Sequence, residues 1–314
     1  MLSRTADHLF WMSRYVERAE NLARLLDVAW QMSLVPQSPE AANQNWNGIL
    51  VLNSLEDAFA RKYGEANANN VLRFMVNEPD NPASLSSCLR MGRENASAVR
   101  GAITAEMWET LNAAWLELTG QSYEQLTTNG PGEFFEWVKL RASLIRGVTL
   151  GTMLQDEAFD FIRLGTLLER ADNTARILDV KYHVLKPEAE EASDFYQWGA
   201  LLRSVSAFEV YRKIYRDVIN PKRVAELLIL HPDMPRSLLF CLKGVVKNLE
   251  SLSNGHARET LRRAGQLHSE LRYGRIEDIL EHGMHEYLND FMDRISDLGD
   301  RVSSDFLVSF GEAA

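Results

Sequence analysis

A short charged sequence occurs twice in this chain of 314 residues, and its residue types are those that bind anions and transfer protons. Residues 17–28 read ERAENLARLLDV and residues 169–180 read ERADNTARILDV, so nine of the twelve positions are identical. A carboxylate can act as a general base, and an arginine can hold a carboxylate through its planar guanidinium. The recurring polar positions are Glu17, Arg18, Asn21, Arg24 and Asp27, and then Glu169, Arg170, Asn173, Arg176 and Asp179.

The spacing of these residues places several of them on one face of a helix. At about 100° per residue, the first segment separates into an apolar face and a charged face. Arg18 and Arg170 lie about 100° around from the neighbouring glutamates and can flank the charged face. That face consists of Glu17, Asn21 and Arg24 in the first segment and Glu169, Asn173 and Arg176 in the second. The apolar face, which should contact the core, consists of Met12, Tyr15, Val16, Ala19, Leu22, Ala23 and Leu26.

The charged face has three interpretations. Its polar positions are identical in both segments and are bracketed by apolar residues, which favours contact with another surface over bulk water. In a buried network each guanidinium must meet a carboxylate, because an unpaired buried charge is very costly. We therefore predict that the two faces confront each other or jointly flank a site. The alternatives are a surface that binds a ligand or partner, and a solvated face whose helical ion pairs contribute only roughly a few tenths of a kcal/mol each.

Apolar residues recur at helical spacing along most of the chain, whereas strand patterns are almost absent. This periodicity predicts an all-α protein, in which residues 5–33 and 156–184 form the longest related helices. The complete set of predicted helical ranges is 5–33, 47–63, 82–118, 133–153, 156–184, 194–218, 221–230, 236–272 and 284–310.

A second pair of segments indicates that half of the chain is duplicated. PDNPASLSSCLR at 79–90 matches PDMPRSLLFCLK at 232–243, at nearly the same offset as the charged segments. We predict two halves, 1–154 and 155–314, that pack about a pseudo-twofold axis as one helical bundle. Proline and serine suit the start of a helix. Each segment should therefore begin a helix, on which Cys88 and Cys241 lie buried as small apolar groups.

The composition argues against some classes of partner. A net charge of −10 and an isoelectric point of about 5.3 disfavour binding to nucleic acid or to an anionic membrane. No apolar run reaches the roughly 20 residues that a membrane-spanning helix needs, and the N-terminus lacks the pattern of a secretory signal. Two cysteines far apart in the sequence fit a reducing compartment. We expect a cytoplasmic protein with no nucleic-acid partner and no membrane partner.

Motifs for catalysis and for cofactor binding are mostly absent. The sequence has no Gly-rich nucleotide loop and no HExxH, GxSxG or CxxC motif. His282 and His285 form an isolated His-x-x-His, and no histidine has the Glu-x-x-His spacing of helical di-metal sites. We therefore predict no cofactor and no metal site, and we favour a protein without catalytic activity of its own.

The two charged helices, the paired PDxPxSLxxCL segments and the N-terminal LSRTADHLFWM together resemble the bacterial alpha-E family, a family of helical domains of unknown function. The resemblance covers essentially the full length. It implies an all-helical fold, with the family motif on the ten recurring polar positions named above. It also implies a partnership with a circularly permuted ATP-grasp ligase, whose genes typically adjoin or are fused to those of the family. A transglutaminase-like peptidase is a further implied partner.

This resemblance leads to three functional hypotheses. The leading one is a non-catalytic helical subunit that docks on an ATP-grasp amide (peptide) ligase or positions its substrate. The first alternative is an enzyme whose paired Glu/Arg helices line a pocket for an amino-acid- or peptide-like substrate. The second is a self-associating scaffold, which would be a homo-oligomer. A cleft with a raised glutamate pKa would favour the enzyme, whereas a closed charged face and an exposed apolar patch elsewhere would favour the docking subunit.

Overall fold

The structure is a computed structural model that describes residues 1–34, 39–184, 192–252 and 257–307. These residues form helices and connecting loops without any strand, so the all-α prediction is confirmed. Within the same ranges, no helix is both long and apolar enough to cross a membrane. The helices are α1 (Ser3–Ser33), α2 (Pro39–Leu52), α3 (Glu56–Ala60), α4 (Ala68–Asn77), α5 (Leu85–Ala98), α6 (Ala105–Thr119), α7 (Tyr123–Leu126), α8 (Pro131–Thr152), α9 (Glu157–Val184), α10 (Ala192–Ser204), α11 (Phe208–Tyr215), α12 (Pro221–Leu230), α13 (Leu238–Ser251), α14 (Arg258–Tyr273), α15 (Ile276–His282) and α16 (Met284–Phe306).

The two helices predicted to be longest are the longest ones described, with 31 residues in α1 and 28 in α9. Other predicted ranges are divided. The range 47–63 contains the end of α2 and all of α3, because the chain turns at Ser54, which has a left-handed φ of 54°. Two parts of the predicted helical ranges lie outside the described residues, namely 253–256 within 236–272 and 308–310 within 284–310.

Helices α1 and α9 lie at the centre of the fold and are buried on several sides. α1 packs against α5, α8 and α9, and α9 packs against α1, α13 and α16. Six of the seven residues predicted for the apolar face of α1 are buried, and Tyr15 is half-buried. The charged side of α1 is also buried, since Glu17, Glu20 and Asn21 are each less than a tenth exposed. These three residues are therefore buried, as the predicted network requires, and the alternative of a solvated face does not hold for them.

The contact between α1 and α9 is close because α9 carries a glycine where the helices meet. A Cβ atom on Gly165 would collide with the carbonyl oxygen of Phe10 and with the hydroxyl of Ser13. Ser13 Oγ donates a hydrogen bond to that same carbonyl at 2.8 Å. Glu17 and Glu169 each follow one helical turn later, so the close approach at Gly165 brings their segments within reach of each other.

The two PDxPxS segments each begin a helix, as predicted. The hydroxyl of Ser84 accepts a hydrogen bond from a backbone amide in the first turn of α5, and the hydroxyl of Ser237 does the same in α13. Cys88 and Cys241 follow on these helices as free, fully buried thiols. Burial raises the pKa of each thiol to about 12, so neither cysteine is a thiolate at neutral pH.

Candidate functional site

The two Glu-Arg dipeptides bind each other across the contact between α1 and α9. Glu17 accepts two hydrogen bonds from Arg170, one from Nε and one from Nη2, each at 2.8 Å. Glu169 accepts two from Arg18, at 2.6 Å from Nε and 3.0 Å from Nη2. Both pairs are bidentate, which is the strongest geometry for a guanidinium and a carboxylate. Each glutamate therefore pairs with the arginine of the other segment.

The predicted pairing through Arg24 and Arg176 is corrected by this geometry. Arg24 donates to Glu20 at 2.8 Å and Arg176 donates to Asp172 at 2.8 Å, in each case to a residue four positions earlier on the same helix. The prediction brought the two charged faces together, but α1 and α9 are each enclosed on several sides. The residues about 100° around from the glutamates, rather than those on their own face, meet the opposite helix.

The other recurring positions lie further along the helices. Asp27 accepts a hydrogen bond from Lys139 of α8 at 2.8 Å, and Asp179 contacts His285 of α16 at 2.6 Å. Asn21 is buried, whereas Asn173 is half-buried. The two aspartates thus connect α1 and α9 to the neighbouring helices and do not join the central pairs.

Arg236 also belongs to the network, although it is not among the residues predicted from the sequence. It precedes α13, and its buried guanidinium donates to Asn21 Oδ1 at 2.6 Å, to Glu17 Oε1 at 3.1 Å and to Glu20 Oε1 at 2.9 Å. Its position in the second PDxPxS segment is matched by Ala83 in the first. That difference between two similar segments is the signal in the sequence that points to it.

Two further arginines complete the network. Arg146 of α8 bonds to Glu20 and lies 3.5 Å from Glu17. Arg14 of α1 donates to Glu169 Oε2 at 2.8 Å. Glu17, Glu20 and Glu169 are therefore each held by at least two guanidinium groups, and all three are buried.

The electrostatic environment keeps both glutamates ionised. Burial alone would raise their pKa values, but the charges of Arg170 and Arg236 outweigh it at Glu17 and hold the pKa below its usual value. At Glu169, burial is likewise outweighed by Arg18 and Arg14, and the pKa is lowered. A general base needs a pKa close to the working pH, so this environment is that of a structural carboxylate.

The free energy of unfolding is expected to fall as the pH drops below about 4.5, the usual pKa of glutamate. Because the pKa values of Glu17 and Glu169 are lowered in the folded protein, both ion pairs stabilise it above that pH. This contribution is lost as the pH falls towards the folded pKa values. Each carboxylate contributes up to about 1.4 kcal/mol per pH unit in this window.

This pH dependence can be measured by urea unfolding from about pH 7 down to about pH 3. The Glu17→Gln variant has lost one of the two titrating groups, so its stability should depend less steeply on pH than that of the wild type. Identical slopes in the two proteins would contradict the assignment of Glu17 as an ionised, paired carboxylate.

A cavity of about 270 Å³ adjoins the network on the side of Glu169. It is lined by both polar and apolar side chains and is open to solvent, and it lies between α1, α9, the turn after α2 and the loop before α5. Five of the ten predicted site residues are among its lining residues, which are Arg18, Asn21, Leu22, Leu25, Leu52, Asn53, Ser54, Ala83, Glu169, Asp172, Asn173 and Arg176. The two charged segments therefore jointly line a cavity, in addition to pairing with each other.

Asn21, one of the residues that line this cavity, has one buried polar atom that is unsatisfied. Asn21 Oδ1 accepts from Arg236, and a guanidinium can only donate, so the other amide atom must be the donor Nδ2. Nδ2 has no hydrogen-bond partner among the described residues. A buried unpartnered donor costs roughly 1–3 kcal/mol. Within the described ranges, no group of three or more acidic, histidine or cysteine side chains is arranged to hold a metal ion.

Fold and site together define an all-helical domain whose centre is joined by two reciprocal Glu-Arg pairs. Residues 1–307 match the family model of Alpha-E, described as a predicted alpha-helical domain with a conserved ER motif. The chain belongs to the Alpha-E family. In this chain the dipeptide Glu-Arg occurs at 17–18 and at 169–170, the positions that pair across α1 and α9.

Curated relatives come from mycobacteria. The chain is 25% identical over 303 residues to "Uncharacterized protein Rv2567" of Mycobacterium tuberculosis (strain ATCC 25618 / H37Rv). It is equally similar to "Uncharacterized protein Mb2597" of Mycobacterium bovis (strain ATCC BAA-935 / AF2122/97). Each match covers 88% of this chain and 33% of the relative, so the chain spans about a third of the length of these proteins. No solved structure is significantly similar to the chain.

Proposed function

We propose that this chain is a non-catalytic helical subunit of an ATP-grasp amide (peptide) ligase system, which docks on the ligase or positions its substrate. The observation that carries the proposal is the state of the two motif glutamates. Glu17 and Glu169 are buried, and each is bound by a bidentate guanidinium group. The pKa values of both carboxyl groups are lowered. Carboxylates in this state stabilise a fold and are poor proton acceptors, which argues against the rival hypothesis of an enzyme built on the paired Glu/Arg helices.

We further infer that the chain is an internal duplication with halves 1–154 and 155–314. Reciprocal pairing supports this, because two copies of one helix packed about a twofold axis exchange identical contacts. Glu17 binds Arg170 just as Glu169 binds Arg18. Such a duplication explains why one charged helix is present twice, since each copy supplies the other's counter-charge.

The outer face of α8 is the surface that we assign to the ligase. Leu140, Leu144 and Leu150 are 61%, 47% and 51% exposed, and Gly147 and Gly151 lie exposed beside them. The charged residues between Leu140 and Gly151 are Arg141 and Arg146. Both side chains are less exposed than these leucines, and both are engaged in ion pairs. Contiguous exposed apolar residues are typical of interaction surfaces. The curated relatives are longer than the match, which fits a module that works beside other domains.

The test is co-purification with a circularly permuted ATP-grasp ligase from the same organism, followed by ATP turnover with and without this chain. Leu140→Asp combined with Leu144→Asp is expected to weaken association at least about ten-fold, since each substitution puts a charge into an apolar contact. Exposed substitutions change stability by roughly 0.5 kcal/mol or less, so the variant should remain folded. Tyr273→Asp, at an exposed aromatic residue at the end of α14, is the matched control.

The outcomes separate the docking subunit from the scaffold. Loss of both association and stimulated turnover in the α8 variant, but not in the control, supports the docking subunit. Failure of the wild-type chain to associate with the ligase or to change its turnover refutes it. Self-association of the chain through the same leucines, seen by light scattering, would instead support the scaffold.

A further inference from the structure

The two matched PDxPxS segments place different side chains against the central helices α1 and α9. Arg236 of the second segment inserts its guanidinium beside Glu17, Glu20 and Asn21. The first segment has Ala83 at the matched position, and Ala83 lines the cavity beside Glu169. A methyl group cannot reach as far as a guanidinium, so space is left where the matched arginine would lie.

The residues that surround this space correspond to those that bind Arg236. Glu17, Glu20 and Asn21 of α1 are matched at an offset of 152 by the residues of α9 that line the cavity, Glu169, Asp172 and Asn173. Asp172 Oδ2 accepts from Arg176, while Oδ1 accepts from no described residue. The side chain of Asn173 likewise makes no hydrogen bond within the described part of the chain, and the residue is half-buried. Acceptor groups on the α9 wall are therefore available.

The number of bound arginines also differs by one between the carboxylates of α1, Glu17 and Glu20, and the matched carboxylates of α9, Glu169 and Asp172. Among the described ion pairs, Glu17 and Glu20 are bound by four arginines, which are Arg24, Arg146, Arg170 and Arg236. Glu169 and Asp172 are bound by three, which are Arg14, Arg18 and Arg176. One additional cation in the cavity would give the Glu169 side the same balance, four cations and two carboxylates, that the Glu17 side already sustains.

The opposite wall of the cavity offers a donor. Arg18 uses Nε and Nη2 for Glu169, and its Nη1 donates to no described residue. On the other side the equivalent atom, Arg170 Nη1, donates to the carbonyl oxygen of Pro235, next to Arg236. The α1 wall is thus suited to an oxygen that lies near the bound cation.

We propose that this cavity binds a guanidinium group together with a nearby carbonyl or carboxylate oxygen, as present in arginine or in an arginine residue of a peptide. The guanidinium would contact Asp172 and Asn173, and the oxygen would contact Arg18 Nη1. The volume of about 270 Å³ is just below the roughly 300–1,000 Å³ of most ligand pockets, which fits a ligand of about one amino acid. The inference does not rest on the proposed partnership with a ligase.

The first test is calorimetric titration of the isolated chain with three probes. L-arginine presents the free amino acid, Nα-acetyl-L-arginine methylamide presents arginine as part of a peptide, and L-citrulline replaces the guanidinium by a neutral urea of the same shape. At least one arginine probe should bind saturably, and the tighter of the two identifies the source of the ligand. Citrulline should bind at least about ten-fold more weakly, because it lacks the charge-assisted hydrogen bonds to Asp172.

Two variants place the ligand in this cavity. Ala83→Arg supplies the arginine of the matched segment and should abolish binding, whereas Ala60→Arg adds the same charge at an exposed residue of α3 and should not. Asp172→Asn keeps the shape of the cavity and should weaken binding at least about ten-fold. This variant remains informative if Ala83→Arg does not fold. Absence of saturable binding of both arginine probes at millimolar concentration, equal affinity for citrulline, or wild-type affinity in Asp172→Asn would overturn the proposal.

Discussion

The Glu17→Gln variant is expected to unfold with a free energy about 3–5 kcal/mol lower than that of the wild type. Glutamine has nearly the shape of glutamate, so the change removes a charge without creating a cavity. It leaves the guanidinium of Arg170, which is less than a tenth exposed, without the carboxylate that accepts both of its short hydrogen bonds. Arg236 loses one of its two carboxylates as well. A buried cation without a counter-charge is the costly element.

Asp172→Asn is the matched control for this prediction. It is also an acid-to-amide change within the repeated sequence, but Asp172 pairs with Arg176 on the same helix, and the Arg176 side chain is 41% exposed. Exposed helical pairs of this kind contribute well under about 1 kcal/mol. Chemical denaturation at neutral pH should separate the two variants clearly. If both variants lost the same free energy of unfolding, whether large or small, burial of the ion pairs between α1 and α9 would not determine how much they stabilise the protein.

The sequence was sufficient to predict the two long helices, the starts of α5 and α13 and the meeting of the two charged segments, whereas the short helices α4, α7 and α15 lie outside the predicted helical ranges. Helical periodicity placed the two long helices, and the serine caps marked where α5 and α13 begin. The identity of the charged positions in two segments indicated that they contact something other than water. These features are local, or they compare one part of the sequence with another, so they can be read without three-dimensional information.

The partners within the network could not be predicted in the same way. A helical wheel gives the angle between Glu17 and Arg18 on α1. It does not tell which side of α1 faces α9, because α1 is enclosed by several helices. The crossing at Gly165 settles this, and it depends on how α1 and α9 pack. Arg236 reaches the network from a loop 56 residues beyond the end of the second charged segment at residue 180, so only the tertiary fold brings it there.

The cavity is a consequence of a small difference between otherwise similar segments. Periodicity and charge patterns describe what a segment contains, whereas the cavity arises because Ala83 is too short to fill the place that Arg236 fills elsewhere. The unsatisfied donor of Asn21 likewise depends on tertiary geometry, since its amide is oriented by Arg236.

Replacement of Gly165 by leucine is expected to produce a second large loss of stability. A side chain at this position meets the backbone carbonyl of Phe10, which cannot rotate away as a flexible side chain can. Inserting atoms into a packed contact typically costs about 1–3 kcal/mol. The cost here should exceed that range, because the helices must move apart and the ion pairs that begin one turn later, at Glu17 and Glu169, lose their bidentate geometry.

Gly165→Ala and Gly265→Ala provide a graded comparison for this effect. Alanine is the better helix former by roughly 1 kcal/mol, so a glycine-to-alanine change in open space should stabilise a helix. Gly265, on α14, has nothing within 4 Å of a Cβ atom, and its alanine variant should gain up to about that amount. At Gly165 the collision outweighs propensity, so alanine should already be destabilising and leucine more so. Denaturant unfolding of the three variants measures this order, and a Gly165→Ala protein as stable as Gly265→Ala would show that the α1–α9 contact does not require a glycine.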